Sequence, residues 1–207
     1  EYVLPKGKYT LEGAEGLCVY PVATTESFAA AVANEGLAGI DLYGPVESVG
    51  EGFEIKHDVV LNMHNQVFNA GSTAQSTWYA LEVMGEHNVV INDANFTRAG
   101  ISADGGADVV FNSGKINHKP ERTSRYIFCA KSGSTITIKD GTFKNDRAKN
   151  SFFWADGGAV IYVEGGNFGG VASNNKVVTS NGGQVIISGG TFNFDPTTWV
   201  AEGCTVT

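Results

Sequence analysis

Two polar stretches hold the side chains best suited to binding. Residues 117–126 read Asn-His-Lys-Pro-Glu-Arg-Thr-Ser-Arg-Tyr, and residues 144–151 read Lys-Asn-Asp-Arg-Ala-Lys-Asn-Ser. Lys119, Arg122, Arg125, Lys144, Arg147 and Lys149 concentrate six of the 14 basic residues in a chain whose formal charge is -8. In an acidic molecule such a patch suits an acidic protein surface or an anionic glycan. The simpler reading is two solvated loops with local ion pairs to Glu121 and Asp146. Trp154 strengthens the binding reading. Alternation sends Phe153 and Ala155 inward and leaves the indole outward, where it can stack on a sugar face or anchor a neighbouring subunit.

Other chemistries find less support. Asp104-Gly-Gly106, Asp156-Gly-Gly158 and Asn181-Gly-Gly183 recur in register, with Lys131-Ser-Gly133 as the variant. Asp or Asn before glycine is turn chemistry: a short acceptor for nearby N–H groups, then a residue tolerant of positive φ. Stacked Asp104 and Asp156 could flank calcium, but the Lys131 coil falls between them and calcium wants six to eight oxygens. His57 and His64 have opposite strand parity and no carboxylate at ligand spacing, so no metal is expected, and no cofactor is implied. Glycoside hydrolysis needs carboxylates facing each other across about 5–9.5 Å. Asp93, Asp140 and Glu164 occupy related turn sites instead, so no residue is assigned as catalytic.

The elements that must position these groups follow from a repeat. Ile91-Asn-Asp-Ala-Asn-Phe96, Phe111-Asn-Ser-Gly-Lys-Ile116, Ile138-Lys-Asp-Gly-Thr-Phe143, Val163-Glu-Gly-Gly-Asn-Phe168 and Ile187-Ser-Gly-Gly-Thr-Phe192 share one pattern, and their last residues lie 20, 27, 25 and 24 positions apart. A strand-like unit of this period is too thin to bury its own apolar face and becomes stable by stacking on neighbours. Three edges can be written. One holds Leu81/Val83, Ile101/Ala103, Phe128/Ala130, Phe153/Ala155 and Val178/Ser180. The second holds Val89/Ile91, Val109/Phe111, Ile136/Ile138, Ile161/Val163 and Val185/Ile187. The third begins with Phe96, Ile116, Phe143, Phe168 and Phe192, a core ladder. Earlier, alternation across 59–67 puts Leu61, Met63 and Val67 on one face and Asn65 among the inward positions.

The ends differ from the middle. Residues 1–21 read as an extended lead-in or linker, and 22–207 as the repeating domain. Thr24 or Thr25 can cap a short helix from about Glu26 to Asn34, whose apolar face is Phe28, Ala31 and Val32. Its expected role is to cover the first coil. At the other end Pro196 resists continued central-strand pairing, and Trp199 and Val200 are expected to fold over the last layer as a cap. Core or cap packing is the better reading for Trp78 and Trp199. Removing residues 194–207 should expose the last coil and promote association through its edge.

Composition narrows the function classes. Twenty-seven glycines among 207 residues come without a collagen period, and aromatic and β-branched residues are plentiful, so the chain is neither collagenous nor disordered. The negative charge works against a general nucleic-acid footprint. No run approaches 18 apolar residues, which argues against membrane insertion. Cys18, Cys129 and Cys204 form no Cys-x-x-Cys motif and leave one thiol unpaired in a monomer. The chain opens on Glu1 and carries no signal pattern, as a mature or ordered fragment of something longer would.

With its β-run, Gly-Gly-x-Phe phrases, the chain resembles right-handed parallel β-helix proteins. Val60-Leu-Asn-Met-His-Asn65 looks like the usual opening of such domains. The tail Gly189-Gly-Thr-Phe-Asn-Phe-Asp-Pro-Thr-Thr-Trp-Val-Ala-Glu-Gly203 is similar to closing segments of gut bacterial surface proteins and of structural proteins of their phages. The resemblance covers residues 22–207. It implies an all-β solenoid, a right-handed parallel β-helix with a short N-terminal capping helix and a C-terminal cap. It also implies a non-enzymatic virion structural protein, such as a phage head or tail fibre or a capsid-decoration module, at the virion surface. The expected partners are other virion or surface proteins, three copies of the chain in a homotrimer, or a glycan. The alternatives are a glycan-binding adhesin, extracellular or on a bacterial surface, and a polysaccharide lyase or hydrolase. Ice binding ranks below these, because no flat Thr-x-Thr array repeats.

Overall fold

The computed structural model describes residues 19–71, 79–118, 126–146, 151–170 and 176–207. Strands recur in a fixed order and wind into an all-parallel β-solenoid with three sheets. The first coil is Gly39–Leu42, Val46–Val49 and Phe53–Ile55. The second is Val59–Asn62, Phe68–Gly71 and Tyr79–Met84, and the third Asn88–Asn92, Ala94–Phe96 and Gly100–Asp104. The fourth is Asp108–Phe111, Gly114–His118 and Tyr126–Ala130. Thr135–Ile138, Thr142–Asn145 and Ser151–Asp156 form the fifth, and Val160–Val163, Asn167–Gly170 and Val177–Ser180 the sixth. Gln184–Ile187 and Thr191–Phe192 begin a seventh. The first strands of the coils stack into a first sheet, the second strands into a second and the third strands into a third. Val19–Val22 pairs with Gly39–Leu42, so the first sheet begins at Val19, inside the stretch read as lead-in.

The helix runs Thr25–Val32. Thr24 caps it: its Oγ1 accepts from Ser27 N at 3.2 Å, and Ser27 Oγ accepts from Thr24 N at 3.0 Å. Phe28, Ala31 and Val32 are buried, as the apolar face requires. Phe28 meets Phe53 and Phe68 edge-on at 5.0 and 5.1 Å, so the helix roofs the first coils with an aromatic cluster.

The second-edge pairs from Val89/Ile91 to Val185/Ile187 stack in the expected register. So does the ladder Phe96, Ile116, Phe143, Phe168 and Phe192, fully buried except for Phe192 at the end. Phe143 and Phe168 stack at 4.7 Å, and Phe168 and Phe192 at 4.9 Å. Where Ile116 interrupts the rings, Phe111 and Phe128 close on Phe143 at 5.4 and 5.1 Å and fill the space. The glycine corners before Phe143 and Phe168 leave no room for a side chain. At Gly166, φ is +105° and a Cβ would lie 2.8 Å from the Phe143 ring.

Four positions depart from the sequence reading. Val67 is 40% exposed and Phe68 takes the buried place, meeting Phe96 edge-on at 5.0 Å. Asn65 is exposed rather than inward. Both shifts have one cause: His64 and Asn65 adopt φ of 45° and 56°, a left-handed pair that breaks the strand and resets its parity. In the sixth coil Val177, not Val178, stands opposite Phe153 and packs against the core, while Thr179 rather than Ser180 stands opposite Ala155. Two adjacent valines gave alternation nothing to choose between.

Candidate functional site

The outer face of the third sheet gathers most of the described polar and aromatic side chains of interest. Phe128, Ala130, Phe153 and Ala155 are fully buried toward the core, which turns Cys129 and Trp154 to the other face, in register with one another. Trp154 is half-buried. Its ring lies 4.7 Å from that of Tyr126, tilted by 31°, and its Nε1 donates to Ser180 Oγ at 3.4 Å. Ser180 Oγ in turn donates to Asp156 Oδ1 at 2.6 Å, and Asn181 Nδ2 donates to the same oxygen at 2.8 Å. These hydrogen bonds from Ser180 and Asn181 hold the Asp156 carboxyl below the usual carboxylate range. Cys129 behaves as a small apolar group here. Burial pushes its thiol up to about 11 against the opposing hydrogen bond with Tyr79, so it is a poor nucleophile. Cys204 is exposed, and both thiols are free.

One corner along, one ammonium is shared between two carboxylates. Lys131 Nζ lies 3.0 Å from Asp104 Oδ2 and 3.5 Å from Glu82 Oε1. The ammonium thus occupies the side of Asp104 where calcium would have to bind, and Asp156 follows in the next coil. Burial works against the charge on Asp104, but hydrogen bonds from Ser132 and Lys131 outweigh it and keep the carboxyl low. Burial likewise opposes the Lys131 charge, and Asp104 more than compensates, so its ammonium is retained more firmly than usual. The Gly-rich corners themselves are turns: Gly105, Ser132, Gly157 and Asn181 all take positive φ.

At the junction of the first and second sheets, an asparagine ladder escaped sequence reading. Asn112 Nδ2 donates to Asn92 Oδ1, Asn92 Nδ2 to Asn62 Oδ1, and Asn62 Nδ2 to Asp41 Oδ1, each at 2.8 Å. Every amide donates in one direction, so the bonds polarise one another toward the terminal carboxylate. His64 Nε2 lies 3.5 Å from Asp41 Oδ1 and stacks on Tyr43 at 5.0 Å. The signal was present as an Asn after the β-run in the second, third and fourth coils, but it was absorbed into the turn pattern.

The other candidates are dispersed. Asp93 Oδ1 accepts from Ser113 Oγ at 2.9 Å, and Asp140 Oδ1 from Gly141 N at 2.7 Å. The register sets Glu164 one residue earlier in its turn than either, beside the Lys139 position. Stacked along a corner, these carboxylates do not face one another across a cleft. A hollow of about 200 Å³ is walled by Glu51, Glu54, Glu82 and Tyr79, with Glu54 paired to Lys56. Another of about 480 Å³ lies beside the C-terminal cap, between Gly189–Phe192 and Cys204–Thr207. Among the described residues, no group of three His, Cys, Asp or Glu is arranged to hold a metal, and no helix is long and apolar enough to cross a membrane.

Of the basic patch, Lys144 is described. It is exposed, lies opposite Asn117 and pairs with Asp146 at 3.2 Å. Lys119, Arg122, Arg125, Arg147 and Lys149 lie outside the described residues, as do Trp78, Cys18 and the greater part of the lead-in. At the C-terminal end, Pro196 is buried and Thr197–Trp199 forms a 3-10 turn. Val200 bridges to Ile187, Ala201 N donates to Ile187 O at 2.8 Å, and Trp199 packs against the core beside Phe194.

Fold and site together define a parallel β-solenoid with a polar, aromatic outer face. Compared with known families, curated proteins and solved structures, the chain has no match.

Proposed function

We propose that this chain is a non-enzymatic structural module of an extracellular assembly, a fibre or capsid-decoration element at a virion surface. The observation that supports this reading is that the Glu82–Lys131–Asp104 cluster ties both of its carboxylates to one ammonium rather than presenting them to a cleft. Six stacked coils around a continuous apolar core make a stiff rod, the mechanical property such a role needs. Imaging the assembled particle or cell-surface complex tests the reading: the rod should occupy a shell, fibre or surface lattice. New reducing ends released from a polysaccharide panel, with or without calcium, would overturn it in favour of a lyase or hydrolase.

A second reading, a glycan-binding adhesin, is favoured by the Tyr126–Trp154 pair on the third sheet. Its aromatic surface suits the apolar face of a sugar ring. Under this reading, glycan-array binding weakens in Trp154→Ala while the far-ultraviolet spectrum is unchanged. Equal binding by the variant, or no binding across capsular and host glycans, removes it.

A further inference from the structure

One corner of the solenoid holds a buried imidazole with neither nitrogen engaged. His57 lies in the turn between Phe53–Ile55 and Val59–Asn62. It is 6% exposed, and Nδ1 and Nε2 both lack a hydrogen-bond partner. Counting two residues back from the register of the first sheet, the same corner in later coils is His87, Ala107, Ser134 and Ala159. The last three are buried and have no charge to gain, whereas His87 is partly exposed beside Asp58 at 3.7 Å. Within this column His57 is thus the buried position that can take up a proton in the mildly acidic range.

Its surroundings connect it to the helix. The strand following His57 pairs with Gly39–Leu42, and Val60 N donates to Ala38 O at 3.0 Å, in the segment by which the chain leaves the helix. Three titratable groups act on the ring: Glu35 from that segment, Asp58 from its own turn and His87 from the next corner. The two carboxylates favour the imidazolium and His87 disfavours it. Burial outweighs the carboxylates and makes the ring harder to protonate than an ordinary histidine.

We infer that His57 is a proton-operated latch on the N-terminal cap: neutral, it packs dry beneath the segment leaving the helix; protonated, it must leave the corner and release that segment. The sign follows from linkage. A histidine that prefers its neutral form when folded contributes stability that is fully present above about pH 6.5 and is lost as pH falls from there to its folded value. Below that value no further loss occurs from this group. At the equivalent corners in the middle of the rod, Ala107, Ser134 and Ala159 have no proton to gain.

The experiment uses the full chain. Amide protection factors, corrected for intrinsic exchange, are measured between pH 7.5 and 5.0 for the wild type, His57→Leu and His87→Gln, and the His57 ring is titrated by NMR. In the wild type, protection of Thr25–Val32 should fall by up to about tenfold per pH unit within the window, while Thr135–Ile138 and Val160–Val163 hold. His57→Leu should abolish the fall, His87→Gln should retain it, and the ring should titrate below the ordinary histidine value. An equal fall in His57→Leu, a loss shared evenly by all strands, or a ring titrating at or above the ordinary value overturns the latch. If His57→Leu does not fold, the wild-type ring titration and helix protection decide the matter alone.

Discussion

The middle of the rod and its N-terminal end solve the same problem by opposite means. From Val89 to Phe168 each inward residue is backed on either side by a residue of similar type in the adjacent coil, and a gap at one level is filled from another edge. Phe111 and Phe128 make good the ring missing at Ile116. At the N-terminal end three features occur once. A single helix supplies Phe28, one left-handed pair sets the parity of Phe68, and one corner buries a histidine without partners. Redundancy makes the middle tolerant of local variation, while the end depends on contacts that exist once.

Three substitutions sharpen or break that contrast. Phe168→Ala should have the largest effect, about 3–5 kcal/mol by cavity formation, because the ring touches Phe143, Phe152, Phe153 and Phe192. Urea unfolding should show the loss, and hydrogen exchange should place it in the fifth to seventh coils rather than in the helix. Asn92→Ala should cost about 1–2 kcal/mol, since it orphans Asn62 Oδ1 and Asn112 Nδ2 together. Its effect should reach the coils on both sides, which thermal melts alone cannot locate but residue-resolved exchange can. Thr24→Ala should cost about 1 kcal/mol and lower protection within Thr25–Val32 alone. Should Thr24→Ala destabilise the middle coils as much as the helix, the two regions form one cooperative unit and the contrast fails.

The same contrast explains what could be read from the chain. The stacked pairs from Val89/Ile91 to Val185/Ile187 and the ladder from Phe96 to Phe192 were legible, because a β-branched run and a Gly-rich corner fix parity afresh in every coil. Phe68 and Val177 were not. A left-handed dipeptide and a pair of adjacent valines each hide one step of parity, and a one-residue slip turns a side chain to the opposite face. The asparagine ladder was invisible for another reason: its partners are 20 to 30 residues apart and meet only after the coils stack. His57 could be seen as a histidine, but its burial comes from packing that no local spacing encodes. Of the site, the outward placement of Trp154 was readable from alternation. Its partnership with Tyr126 and Ser180 was not.

Because every strand pairs only with its counterparts one coil before and after, the cross-section of the molecule is independent of how many coils it has. Each added unit of 20 to 30 residues lengthens the axis by about 4.8 Å and leaves the width unchanged. Such a chain is a ruler that heredity can regraduate. Duplicating or losing one coil through unequal recombination would shift whatever is carried at one end relative to the other in steps of a single strand spacing, with no need to redesign a core.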